Sequence, residues 1–171
     1  GAGVMAGGHL VHGLVHPEMG HMRIPRIPGD TFEGVCPFHG DCWEGLCSGP
    51  AMKKRTGTPA EEISPDSSAW RFEARYVALA LGNIICALSP RRIILGGSVP
   101  NGGLLGIERF FKMVRAEVRD VLDGYIVSPA LEEGIDGYIV PPLLGADAGG
   151  CGALALALDM LHFSDEVTKA P

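Results

Sequence analysis

The chain has 171 residues, 46% of them hydrophobic and 20% charged, with a net charge of −6. That size and balance suit one compact domain or part of a larger protein, and they exclude an intrinsically disordered chain. The acidic balance lacks the Lys/Arg excess that nonspecific nucleic-acid binding needs. Five cysteines in no even ladder of spacings point to a reducing, cytoplasmic compartment rather than a disulfide framework.

The chain opens on "GAGVMAGG", already inside a glycine-rich pattern with no strand ahead of it, and so reads as the start of a fragment. Val4–Ala6 and Leu10–Leu14 flank "GGH" and predict a β-hairpin with Gly7 and Gly8 in the turn. Residues 25–49, rich in Pro, Gly, Cys and His, read as an irregular excursion. "TPAE" at 58–61 predicts a helix start, with Thr58 as N-cap, Pro59 at the first helical position and Glu61 completing a capping box. From Ala69 to Leu88 the residues Val77, Leu81, Ile84, Ile85 and Leu88 share one helical stripe that ends before Pro90.

"RRIILGG" predicts a buried strand over Arg92–Leu95, stopped by Gly96 and Gly97. A second amphipathic helix carries Ile107, Phe110, Phe111, Val114, Val118, Val121 and Leu122, with Gly124 just beyond. "GYIVPPLLG" supplies another short strand, and "DAGGCGALALALDML" a nearly all-apolar helix capped by Asp147. This last helix is read as buried in the core, with a homodimer contact as the alternative, and residues 164–171 as a frayed tail. Cys86 and Cys151 are read as packed thiols. The longest apolar run, 76–88, is shorter than the roughly 20 residues a bilayer span needs. Alternating helix and strand make the fold class α/β.

The dense chemistry lies in "GHMRIPRIPGDTFEGVCPFHGDCWEGL". Cys36, His39 and Cys42 are spaced three apart, so one tight turn can aim all three inward, and His21 lies fifteen residues earlier on a loop long enough to return. Two thiolates and two imidazoles make a closed tetrahedral set for structural Zn²⁺. With all four positions filled there is none for a reactive water, and "HPEMGH" lacks the His-Glu-x-x-His spacing of zinc hydrolases. Cys47 follows Glu44 and falls outside the regular spacing.

"GLVHPEMGHMRIPR", "CPFHGDCWEGLCSGPA" and "IILGGSV" resemble the ROK family of sugar kinases and repressors, in its bacterial fructokinase branch, nearly to His162. Many ROK members carry a Cys-x-Cys-Gly-x-x-Gly-Cys loop, whereas this chain has Cys-x-x-His-x-x-Cys. The resemblance implies an α/β portion of an actin-like ATPase (ribonuclease H-like) fold. It divides the chain into a phosphate-loop tail and hairpin (1–19), a zinc-binding sugar-side loop (20–50), and a C-terminal kinase domain (51–163). Glu18, His21 and Glu44 would meet sugar hydroxyls, His21 using one ring nitrogen for the metal and the other for the sugar. Gly96 and Gly97 would approach the adenosine of ATP.

Gly1 and Gly3 would be the last positions of a Gly-Thr-Gly-x-Gly-Gly-Gly loop. The Asp-x-Gly-Gly-Thr phosphate loop and the catalytic aspartate belong to an N-terminal domain absent here, and the chain alone is expected to be inactive. The resemblance therefore implies fructose, ATP and Mg²⁺ for the parent enzyme. Its alternatives are a glucose, mannose or N-acetylhexosamine kinase, or a repressor with a separate helix-turn-helix.

Overall fold

The computed structural model describes residues 1–167, with side chains to Leu158. Its order is β1 (Met5–Ala6), β2 (His9–Leu10), α1 (Trp43–Leu46), α2 (Gly49–Thr56), α3 (Ala69–Leu88), β3 (Ile93–Ile94), α4 (Ile107–Leu122), α5 (Ile135–Tyr138), β4 (Ile139–Val140) and α6 (Ala148–Val167), with 3₁₀ turns between. β1 and β2 pair antiparallel as Met5↔Leu10 and Ala6↔His9. Gly7 and Gly8, at φ 59° and 86°, supply the left-handed turn that a two-residue hairpin requires.

The main core forms where α3 crosses α4. Apolar residues at helical spacing give each helix one buried stripe, and Trp70, Leu81, Ile85, Phe110, Phe111, Val114 and Val118 interlock there. Trp70 and Phe110 meet edge to face, with ring centroids 5.9 Å apart. β3 and β4 pair in parallel beside α4 as Ile93↔Ile139 and Ile94↔Val140, so β3, α4 and β4 form a crossover unit of the α/β kind. Arg115 of α4 donates to the Ile139 carbonyl at 2.8 and 3.0 Å, tying helix to strand.

Several expectations are corrected. The predicted helix at Thr58 is only a 3₁₀ turn, Ala60–Glu62. The Thr56 hydroxyl donates to Met52 and Thr58 carbonyls and accepts from the Thr58 N–H, and Pro65 leaves little room for a helix to extend. The true helix starts earlier, where Ser48 Oγ accepts from the Ala51 N–H and Pro50 sits in the first turn, so the excursion ends in α1 and α2 rather than running irregularly to Gly49. β3 buries Ile93 but leaves Ile94 62% exposed, because a strand alternates faces and this two-stranded sheet is covered on one.

α6 continues to Val167, so the tail predicted from Ser164 is helical as far as that residue, and 168–171 lie outside the described residues. Far from being buried, Cys151 to Leu158 are all exposed: helical periodicity reports apolar character, not the surface that covers it. Cys86 is exposed too, one step round the helix from the buried Ile85.

A second, smaller apolar cluster lies under the excursion, where Ile24, Leu46, Tyr76 and Ala80 pack with Phe32, Trp43 and Phe72. At its edge Asp30 takes two hydrogen bonds from the Arg55 guanidinium, at 2.6 and 3.0 Å, and a third from the Tyr76 hydroxyl at 2.6 Å. Arg55 lies between the rings of Phe32 and Phe72, 4.3 and 4.8 Å from their centroids. Burial alone would raise the Asp30 pKa, but the bonds from Arg55, Tyr76 and the Phe32 backbone outweigh it and hold the carboxyl at about 2. Asp30→Asn leaves Arg55 without its counter-charge and should cost about 3 kcal/mol in chemical denaturation. Because the folded pKa is depressed, the native pair's contribution is present above pH 4 and should fade as pH falls towards 2. A stability–pH curve that coincides for the native and Asn forms across that window would contradict the assignment.

Candidate metal centre and cleft

Met19–His21 is a single 3₁₀ turn, and the chain then runs to a tight reversal at 36–40. There Cys36 and Gly40 exchange backbone bonds of 3.2 and 2.9 Å. α1 follows with Cys42 as its N-cap residue, and the Trp43 N–H donates to the Met22 carbonyl at 2.9 Å, which joins the reversal to the His21 turn. Arg23 reinforces the joint from outside by donating to the His39 carbonyl at 2.9 Å.

The result brings His21, Cys36, His39 and Cys42 together, with one ligand atom from each lying within 4.8 Å of the others. Cys36 Sγ is 3.6 Å from His21 Nδ1 and 3.8 Å from His39 Nδ1, and Cys42 Sγ is 3.7 Å from His21 Nδ1. A tetrahedron with Zn–S near 2.3 Å and Zn–N near 2.0–2.1 Å has S···N edges of about 3.6 Å, so donors and spacing fit such an ion. Burial opposes ionisation of Cys36, but backbone N–H groups of His39 and Phe38, aided by Cys42 and His21, bring its pKa down to about 6. Cys42 is pushed the other way, first by burial and then by the negative charge of Cys36 and Glu44. The pair thus already offers one thiolate at neutral pH. His21 faces the thiols through Nδ1, leaving Nε2 for a second partner.

Beside this centre opens a cleft of about 770 Å³. Its walls are the first residues of the chain, α1, one side of α3 and the loop after β3. Five of the seven predicted substrate and nucleotide residues line it: Gly1, Gly3, Glu44, Gly96 and Gly97. Glu44 lies in the first turn of α1, its Oε2 only 3.2 Å from where a Cβ on Gly20 would stand. Glu18 and His21 flank the lining pair Met19–Gly20 without lining the cleft themselves, and Glu18 pairs with His16 Nε2 at 2.8 Å.

Sequence reasoning missed Glu73 and gave Cys47 no role in the cleft, yet both line it. Glu73 is 3% exposed on the core side of α3, and the Cys47 thiol donates to its Oε1 at 3.1 Å. Burial pushes the Glu73 carboxyl up to about 8, against the opposing pull of Cys47 and Arg55, and pushes the Cys47 thiol well above its ordinary range. The signal was available, since Glu73 interrupts the Trp70, Val77, Leu81 stripe at helical spacing with a carboxylate.

Comparison with known proteins adds a context. The profile described as ROK family matches residues 1–160. Fructokinase of Pediococcus pentosaceus is 42% identical over 157 residues, covering 92% of this chain and 51% of that protein. Fructokinase of Lactococcus lactis subsp. cremoris is 39% identical over 134 residues, covering 78% and 44%. The chain spans about half the length of the curated relatives it matches. Among solved structures, a ROK family glucokinase from Streptomyces griseus in complex with glucose and AMPPNP aligns at TM-score 0.65 and 23% identity, covering 90% of this chain and 55% of that one. ROK hexokinase from Thermus thermophilus aligns at 0.60 and 24%, covering 86% and 49%. At these identities the likeness carries the fold.

Two tests follow. A Cβ on Gly45 would meet the Gly40 carbonyl oxygen at 1.9 Å, so Gly45→Ala must displace the reversal that carries Cys36. It should lower stability by at least about 2 kcal/mol and weaken retention of a metal ion, read by thermal melting and elemental analysis. The raised Glu73 pKa has the opposite sign to Asp30: full stability below about pH 4.5, falling as pH rises to about 8. Glu73→Gln should therefore melt higher than native protein at pH 8, by roughly 3 °C or more, and level with it at pH 4.5.

Proposed function

The chain belongs to the ROK family, and on that footing we propose that it is the sugar-side portion of an ATP-dependent kinase that phosphorylates fructose. One observation carries the reading: a single cleft is lined by the Glu44 carboxylate, by the opening Gly1–Gly3 segment and by Gly96–Gly97. Its size lies within the roughly 300–1,000 Å³ range of small-molecule sites.

In this reading Glu44 accepts a sugar hydroxyl, a charge-assisted bond that is strong and directional. Glu18 and the Nε2 side of His21 complete the sugar wall once the cleft closes on substrate. Gly96 and Gly97 let backbone approach adenosine without a Cβ in the way, Gly97 at φ 104°. Gly1 and Gly3 end the loop that meets phosphate, where ATP arrives with Mg²⁺. His21, Cys36, His39 and Cys42 hold a structural Zn²⁺ that keeps His21 and the Glu44 turn in register. The γ-phosphoryl group would pass to a sugar hydroxyl oxygen as its bond to the β-phosphate breaks and ADP leaves, the hydroxyl proton would go to a base, and positioning would supply most of the catalysis. The 171 residues contain no Asp-x-Gly-Gly-Thr motif to cradle phosphate, and the base is assigned to the same N-terminal domain, so the chain alone is assigned no turnover.

The reading also keeps the protein in the cytoplasm, in line with five free cysteines, and no helix among the described residues is long and apolar enough to cross a membrane. A coupled ADP-release assay with fructose, glucose, mannose and N-acetylglucosamine, run on the 171-residue chain and on the full gene product, tests it. Turnover is expected only from the full product, with fructose preferred. Glu44→Gln there should raise the fructose KM about 10- to 100-fold. Preference for glucose would end the fructose assignment, and turnover by the 171 residues alone would end the division of labour. Elemental analysis should find about one zinc per chain, and a chelator should lower Tm.

A further inference from the structure

α1 is a single turn of helix, too short to hold its own shape in water. Its N-terminal end is fixed by Cys42 and by the Trp43–Met22 backbone bond. Its C-terminal end is Cys47, whose N–H closes the turn on the Trp43 carbonyl at 2.8 Å and whose thiol reaches across to α3. Between these two ends stands Glu44.

We propose that Glu73 is a positioning residue: through the Cys47 thiol it ties the C-terminal end of this turn to α3 and so sets where Glu44 stands in the cleft. The proposal rests on the sugar-binding role given to Glu44 above, although the tie itself is independent of that role.

Three observations support it. The Cys47 thiol links the end of α1 to α3, reaching the Glu73 carboxyl at 3.1 Å and, less closely, the Glu73 carbonyl at 3.7 Å, so a change at the carboxyl removes the shorter bond. The Trp43 indole N–H, a donor, is directed at the same sulfur and stays buried without a hydrogen-bond partner, so it does not compete with the Glu73 carboxyl for the thiol proton. Finally, Glu73 is a buried acid kept neutral near pH 7 in the wall of an open cleft.

The charged and titratable groups around Glu73 are few. Cys47 faces it from the end of α1. Arg55 acts from α2 but is already engaged by Asp30, and Glu44, Arg91 and Arg92 line the same cleft. Among the described residues no Lys or Arg is ion-paired to Glu73, and Arg55 pairs with Asp30 instead. The least costly relief is to open the seam between α1 and α3 to water in the cleft, which displaces Glu44.

The test begins on native, zinc-replete full-length gene product labelled with ¹³C at glutamate carboxyls. One carboxyl resonance should titrate near pH 8 and vanish in Glu73→Gln, and tryptophan emission should change with the same midpoint and lose that change in Trp43→Phe. In the kinase assay the sugar KM of native protein should rise about fivefold or more across that transition with kcat kept, while Glu73→Gln stays flat. Cys47→Ala should raise KM about tenfold at pH 7 and Cys47→Ser, which keeps a donor, should restore it.

If every glutamate titrates below pH 6, or emission ignores the transition, the proposal is overturned. It is equally overturned if turnover is normal and KM indifferent to both Cys47 variants. If the spectroscopic signature appears but no sugar is phosphorylated, the tie stands and the kinase reading falls.

Discussion

The pair between Asp30 and Arg55 is the interaction on which the functional wall depends. The excursion from Gly20 to Cys47 has almost no secondary structure of its own, and its apolar cluster is small. A segment like that gains little from burial against the entropy of ordering it. Beside that cluster, what fixes it on the helices is a doubly hydrogen-bonded ion pair, closed by the Tyr76 hydroxyl and roofed by Phe32 and Phe72. An apolar contact of the same volume could match it in strength. It could not fix direction as well, because two parallel bonds and a stacked guanidinium permit a single approach of residue 30 to α2 and α3.

With that anchor in place, the other parts fall into a short mechanical chain. The His/Cys cluster gathers residues from the His21 turn and the 36–42 reversal, glycines 34 and 45 let their backbones close around the Gly40 carbonyl, and α1 follows Cys42. Glu44 is thus placed by backbone geometry set on both sides of it rather than by its own packing. The cleft lies where this assembly meets the strand-following glycines 96 and 97. The helical core bears the Gly96–Gly97 loop, and the pinned excursion bears Glu44.

Much of this was legible in the residues. The span of α3, the stripe of α4, the hairpin turn and the four soft ligands follow from periodicity, φ-permissive glycines and spacing, all of them local properties. What escaped is what depends on neighbours distant in sequence. Thr58 has every mark of a cap, and a hydroxyl two residues back takes its backbone instead. Cys86 looks packed because its helix is apolar, yet the face it occupies is the wet one. Glu73 was passed over because a charged residue in a helix usually marks the solvent side, and only the crossing of α3 under α1 shows it inward. α6 is the sharpest case: its leucines state a need for cover, which the described residues do not meet.

The small cluster under the excursion, separate from the α3–α4 core, carries a consequence for how the molecule opens. The helical pair is joined along its length by a packed apolar seam, whereas the excursion closes through a few polar links such as Cys42–His21 and Tyr76–Asp30. Segments joined by few long-range links can exchange their amide protons through local opening, without unfolding the rest. The cleft wall is then a cooperative unit of its own, held by the His/Cys cluster and the Asp30–Arg55 pair, beside a core with separate packing.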